Sequence, residues 1–212
     1  QPALADAGAA VALAAEQATS ESFSGALLDG YAERFDSHLV GSLQYQGPAL
    51  LKQALVRHSA QASRPFQFGT ALDLGCGTGA LLSHIQAAHP ALSRLTGVDF
   101  VVEDAAALPG IEYVAAKIES LAFADGEFDT VVCTHVIEHL LDYRRAIAEL
   151  RRIARRRLII VVPREREYRY SFNPHFNFFP YTHSFLRAVH PVPERFECID
   201  IGRDIFYCED KG

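Results

Sequence analysis

The run Ala71-Leu72-Asp73-Leu74-Gly75-Cys76-Gly77-Thr78-Gly79-Ala80-Leu81-Leu82 constrains this chain more than any other stretch. An apolar segment meets three alternating glycines and passes at once into a second apolar segment. That order predicts a buried strand, a tight turn and the first turn of a helix. Glycines at such a turn permit positive φ and leave no Cβ in the way of a ligand. The helix that follows presents unsatisfied backbone N–H groups toward the same space. A backbone built this way passes very close to a nucleotide-like ligand.

Two ligand classes compete for the loop. Gly75-x-Gly77-x-x-Ala80 satisfies the dinucleotide pattern G-x-G-x-x-G/A. A second predicted strand, Thr96-Gly97-Val98-Asp99-Phe100, ends in an acid 20 residues after Gly79. An acid in that place can accept hydrogen bonds from ribose hydroxyls in either class. Asp73 separates the two, because a carboxylate inside the first strand–turn unit repels a pyrophosphate. The stretch also resembles motif I of the class I S-adenosylmethionine-dependent methyltransferases, whose cofactor has no phosphate and carries a sulfonium and an ammonium group. Downstream, Ile118 to Cys133, with its Phe128-Asp129 pair before an apolar run, resembles that family's third-to-fourth strand region. Thr134-His135-Val136-Ile137-Glu138-His139-Leu140-Leu141-Asp142 is similar to its motif after strand four. The resemblance covers residues 70 to 163, and resembles most the small-molecule, type 11-like branch.

The resemblance implies a Rossmann-like α/β fold with a mostly parallel seven-stranded sheet, an antiparallel last strand and N-terminal helices lidding the pocket. Strands are expected near 70–74, 95–99, 111–114, 128–133 and 158–162, with a helix over 143–157. Two β-prone runs at 196–201 and 204–208, separated by Gly202-Arg203, predict a closing antiparallel pair. An Ala-rich segment over 1–20 precedes a single domain over 21–212, of which 21–62 are the expected lid helices. Between Asp99 and Pro109 the second βα unit is shorter than the resemblance implies, and the chain holds no methionine.

For S-adenosylmethionine the expected contacts are Asp73, Gly75, Cys76, Gly77, Asp99, Ile118, Glu119 and Thr134. Gly75 and Gly77 admit the amino-acid end of the cofactor, Asp73 answers its ammonium group, and Asp99 takes the ribose. Ile118 offers a backbone N–H and an apolar face to the adenine. Where the family often has an acid beside the adenine, this chain has Lys117, which holds no acceptor, so Glu119 or a backbone carbonyl stands in.

On the acceptor side, His135, Glu138 and His139 share a face at i, i+3 and i+4. One expectation is that His135 is a general base, with His175 as the second choice. A divalent site built from the same trio with His175 or His183 is the alternative, and it resembles a Glu-x-x-Glu-His motif of RNA 2′-O-methyltransferases and some ubiquinone-pathway O-methyltransferases. Here His135 stands in place of the first Glu, and no metal is assigned. A purely structural pair of Glu138 and His139 is the plain reading. The aromatic and basic segment 164–183 follows strand five, where a flat or anionic acceptor is expected to sit.

Composition narrows the partners. A formal charge of −6 argues against a general nucleic-acid binder. No apolar run approaches the roughly 18 residues a bilayer span needs. The arginines of 144–157 are expected to line a solvated helix face. Four cysteines without a C-x-x-C pair read as reduced thiols of a cytoplasmic protein, with a Cys198–Cys208 disulfide as the minor possibility. The expected function is methyl transfer from S-adenosylmethionine to a small-molecule acceptor, at oxygen ahead of nitrogen or carbon. The alternatives are a metal-assisted RNA 2′-O-methyltransferase and an inactive cofactor-binding partner protein.

Overall fold

The computed structural model describes residues 47–61, 66–77, 79–90, 92–100, 102, 108–167 and 175–211. The chain divides into compact units at residue 45, and all of these residues belong to the second unit. The Ala-rich start and lid residues 21–46 lie outside the described residues.

Seven strands form one sheet in the order β3-β2-β1-β4-β5-β7-β6. They are β1 (Thr70–Leu74), β2 (Arg94–Asp99), β3 (Glu112–Ala115), β4 (Phe128–Thr134), β5 (Ala154–Pro163), β6 (Phe196–Ile201) and β7 (Asp204–Asp210). Strands β1 to β5 pair in parallel, and β7 runs antiparallel between β5 and β6. This is the expected sheet. The order reverses at β1, so ligands are offered the crevice beyond the carboxyl ends of β1 and β4.

Period-two alternation divides the core into two layers. Leu72, Leu74, Val131, Cys133, Leu158, Ile160, Ile205 and Tyr207 face helices α3 (Tyr143–Ile153) and α4 (Thr182–Ala188). Ala71, Val132, Ile159, Val161, Phe206 and Cys208 face the other side, with α1 (Gly47–Gln61) and α2 (Ala80–Ala88). Helix α1 falls within the expected lid region, yet its described apolar residues Leu51, Ala54 and Leu55 pack in this sheet layer.

Helix α3 shows how local sequence sets an element. Asp142 caps it by accepting from the Arg145 amide at 3.1 Å. Ala146, Ile147, Leu150 and Ile153 then line its buried face. The helix stops at Ile153 rather than at the expected Arg157, because Ala154 already pairs with Phe128 in the sheet and Arg157 with Asp210. The arginines are therefore not a free solvated face. Arg151 donates to Glu209, Arg152 to Glu149 and Asp125, Arg155 to Asp129, and Arg157 to Asp210. Cys198 sits opposite Tyr207 and Cys208 opposite Glu197, so the two thiols point to opposite faces and all four cysteines are free. No helix among the described residues is long and apolar enough to cross a membrane.

Candidate active site

The glycine loop hangs from β2. The amides of Gly75 and Cys76 both donate to the Val98 carbonyl, at 2.8 and 3.2 Å. Gly75 has φ 72°, and a Cβ there would lie 2.1 Å from Val136 Cγ2. Its freedom is thus required twice, by the backbone and by Val136, two residues after β4. Gly77 differs. It has φ 49°, and a Cβ there would meet no atom of the described residues within 4 Å.

Two acids flank the loop. Asp99, at the end of β2, accepts from the Gly77 amide at 2.8 Å with Oδ2 and from the Phe100 amide at 2.7 Å with Oδ1. Each oxygen keeps a further lone pair for a ligand hydroxyl. Asp73 lies behind the loop, 1% exposed. Its Oδ1 is buried and accepts no hydrogen bond from any described residue. Burial, reinforced by the Asp99 charge, raises its pKa to about 8. A buried carboxylate without a donor is costly, and a cationic ligand group would relieve it. The Gly77 position, unobstructed by the described residues, the spare acceptor lone pairs of Asp99 and the unpartnered Oδ1 of Asp73 fit S-adenosylmethionine.

The remaining expected contacts divide. The Cys76 side chain is buried, its Sγ packed toward Gly97 and burial pushing the thiol pKa up. Ile118 is buried and Glu119 partly exposed, while the Lys117 ammonium lies 5.9 Å from the Phe100 ring centroid. Thr134 ends β4, half-buried, paired with Val161.

Beyond β4 the chain turns sharply. His135 has φ 56°, an uncommon conformation for a residue with a side chain. A short 3-10 turn, Ile137–His139, follows. The His135 ring lies between two carboxylates, Nδ1 3.5 Å from Glu138 and Nε2 3.6 Å from Asp204. Burial alone would lower its pKa, but Asp204 and Glu138 together raise it to about 10. Asp204 comes from the start of β7, which the register sets beside Pro163 at the carboxyl end of β5.

The segment after β5 closes over this turn. The amides of Phe176 and Asn177 both donate to the Glu138 carbonyl, and the Asn177 side chain donates to the carbonyls of Ile137 and Leu140. His175 pairs with Glu165 through Nδ1 and meets the His139 ring edge-on at 4.6 Å. Structure therefore brings His175 to the His135–His139 turn, as the metal alternative requires. One ligand atom each from Glu138, His139 and His175 lies within 4.8 Å of the others. His183 instead stacks on Tyr181. Residues 168–174, the middle of the aromatic segment, lie outside the described residues.

Sequence reading missed Asp204, Glu165 and Val136. Asp204 could be found only after β7 was placed beside β5. Val136 acts through its bulk alone, which carries no motif.

Residues 72–162 match the family model described as a methyltransferase domain. That stretch, from β1 through most of β5, is similar to a methyltransferase domain. An uncharacterised 37.1 kDa protein of a Streptomyces fradiae transposon is 36% identical over 93 residues, covering 41% of this chain and 27% of that protein. The ubiquinone/menaquinone biosynthesis C-methyltransferase UbiE of Geotalea uraniireducens is 32% identical over 107 residues, covering 46% of each. The chain thus spans less than half the length of these relatives. In fold it is similar to a solved S-adenosylmethionine-dependent methyltransferase of Thermotoga maritima (TM-score 0.58, 14% identity, 87% of this chain and 98% of that one).

Proposed function

We propose that this protein transfers a methyl group from S-adenosylmethionine to a small-molecule acceptor. The observation that carries the reading is Asp73, a buried carboxylate whose Oδ1 accepts nothing from the described residues, behind the glycine loop. When bound, S-adenosylmethionine supplies a methyl group already activated on a sulfonium. The protein then has to hold it, align the acceptor and exclude water. Asp73 would hold the ammonium end, Asp99 the ribose and Ile118 the adenine.

His135 and His175 remain the acceptor-side candidates. Geometry favours His135 as a positioning residue, since carboxylates on both sides hold the ring and leave no lone pair for a substrate proton while it is protonated. His175 is partnered by Glu165 on one nitrogen, an arrangement that suits a base. The acceptor atom we favour is a ring carbon of an electron-rich hydroxylated aromatic, in place of the oxygen the sequence alone suggested. Support comes from the relatives named as ubiquinone/menaquinone biosynthesis C-methyltransferases. Exposed Leu141 and Phe176, on segments that meet at the Glu138 carbonyl, give an apolar ring surfaces to rest on. One observation favours a second reading, a metal-assisted transfer: the grouping of Glu138, His139 and His175.

Titration calorimetry with S-adenosylhomocysteine, with NAD as control, tests the cofactor assignment. Binding that is lost in Asp99→Ala, with no heat from NAD, is the expected result. Binding of NAD alone would return the loop to a dinucleotide role. Radiolabelled methyl transfer to a panel of naphthols, quinols and catechols, with and without chelator and Mg2+, then separates carbon from oxygen acceptors and the metal-free from the metal-assisted route.

A further inference from the structure

At the far edge of the sheet, away from the glycine loop, a second cluster of donors is packed between α1 and the β6–β7 hairpin. Its members come together by register. Glu197 of β6 lies opposite Cys208 of β7, so the two side chains share a face. Asp210 lies two residues further along β7 on that face. His58 of α1 points down onto it. His58 and Cys208 are buried, 9% and 0% exposed.

The ring nitrogens of His58 face different partners. Nε2 lies 3.0 Å from Asp210 Oδ2 and 3.8 Å from Cys208 Sγ. Nδ1 lies 3.1 Å from Glu197 Oε2. Asp210 is itself oriented, its other oxygen accepting from Arg157 Nε at 2.7 Å. The three candidate ligand atoms all lie within 4.8 Å of one another.

We propose that His58, Cys208 and Asp210 form a binding site for a divalent zinc-class ion, with Glu197 as the outer carboxylate that fixes the histidine. Nitrogen, sulfur and oxygen donors together suit zinc or cobalt rather than magnesium or calcium, which take oxygen. Both separations from His58 Nε2 are close to those of tetrahedral coordination. Bond lengths of about 2.0 Å to nitrogen and oxygen and 2.3 Å to sulfur place N and O about 3.3 Å apart and N and S about 3.5 Å apart. Metal-binding histidines characteristically donate their second N–H to a carboxylate, and Glu197 supplies one. Charge also balances, because a dication replaces one proton from His58 and one from Cys208 and leaves the net charge of the cluster unchanged. A fourth position remains for solvent. Such an ion would clamp α1 to the β6–β7 edge, a stabilising role separate from methyl transfer.

The alternative is an ion-pair cluster in which His58 bridges Glu197 and Asp210 with no metal. Cobalt distinguishes the two. The full chain, stripped with chelator, is titrated with Co2+ and followed for the near-ultraviolet thiolate-to-cobalt charge-transfer band. One equivalent with that band is expected, lost in Cys208→Ser and kept in His175→Ala, which removes the other grouping of possible ligands. Excess Zn2+ is expected to raise the Tm of the parent protein by several degrees and to leave that of Cys208→Ser unmoved. No band in the parent, or a band that persists in Cys208→Ser, overturns the proposal. Zinc-edge absorption spectroscopy on the parent protein does not depend on any variant folding. A shell with one sulfur among nitrogen and oxygen supports the site, and a shell of light atoms only, or no bound zinc, leaves the ion-pair cluster.

Discussion

Asp73 and Asp129 are both buried carboxylates, on adjacent strands, and the protein treats them in opposite ways. Asp129, near the start of β4, is saturated. It accepts from the Thr70 amide and hydroxyl at 3.0 and 3.2 Å and from Arg155 Nε at 2.9 Å. Burial would raise its pKa, but the Thr70 N–H and the Arg155 guanidinium bring it below the ordinary carboxylate value. Asp73, nearer the other end of β1, is sealed with one oxygen accepting nothing from the described residues, and its pKa is raised to about 8. The amino ends of the strands, where Asp129 sits, are held by charges that pair within the fold. Near their carboxyl ends stands a carboxylate whose Oδ1 accepts nothing from the described residues. Burial of an acid is therefore no sign of function until its donors have been counted.

The largest effect is expected at Asp73. Asp73→Asn keeps the shape and removes the charge, and should weaken S-adenosylhomocysteine at least 100-fold by calorimetry. It should also stabilise the ligand-free protein at pH 8.5. The carboxyl binds its proton more tightly when folded than when unfolded, so folded stability falls as pH rises from about 4 to about 8. Asn escapes that loss. Thermal unfolding should show the variant several degrees above the parent at pH 8.5 and level with it near pH 4. A variant that loses stability at pH 8.5 would show that Asp73 is satisfied in the fold and would remove the contrast with Asp129.

The pH dependence of binding sharpens the same point. A cationic ligand group beside Asp73 favours its ionised form, so binding below pH 8 must release the proton. S-adenosylhomocysteine affinity should rise roughly tenfold or more between pH 6 and pH 8 and then level off. Calorimetry in buffers of differing ionisation enthalpy should register about one proton released per site at pH 6.5. An affinity flat across this range would mean that the ammonium end binds elsewhere.

Much of this site was legible in the sequence because it depends on spacing. Strand, glycine turn and helix are set by local pattern, and both Asp73 and Asp99 stand at strand positions that the pattern marks. A mostly parallel sheet followed from strands that alternate with helical stretches, and its seven strands from the family resemblance. Helix α3 was read four residues too long because Arg155, Arg156 and Arg157 suit a helix end as well as they suit β5, and only the pairing with Asp129 and Asp210 decides. The setting of His135 was hidden for a related reason. Its partner Asp204 is 69 residues away by number and becomes a neighbour only through the antiparallel return of β7. Motifs record contacts within one turn or strand, and ion pairs across the sheet leave no such record.

The two glycines refine the comparison within the loop. Gly75→Ala places a Cβ 2.1 Å from Val136 Cγ2 at φ 72°. It should lower Tm markedly and abolish S-adenosylhomocysteine binding. Gly77→Ala meets no atom of the described residues within 4 Å at φ 49°, so its folding cost is the left-handed backbone alone, on the order of 1 kcal/mol. Its affinity for S-adenosylhomocysteine should nevertheless fall about tenfold, because the added methyl occupies space left for the ligand. Gly75→Ala, Val136→Ala should recover part of the lost stability, and a lack of recovery would show that backbone strain dominates at Gly75.

The smallest effect on binding is expected at Asp129. Asp129→Ala removes the acceptor for the Thr70 amide and the partner of Arg155, whose side chain is 57% exposed and can turn to water. The cost should be about 2 kcal/mol, set mainly by the stranded amide. Denaturant unfolding should show it as a lower midpoint with an unchanged slope. Affinity for S-adenosylhomocysteine should stay within a factor of two of the parent, because nothing that faces the glycine loop has moved. A large loss of affinity would mean that the amino end of β4 is coupled to its carboxyl end through the strand, and that pairing at one end of the sheet helps set the geometry at the other.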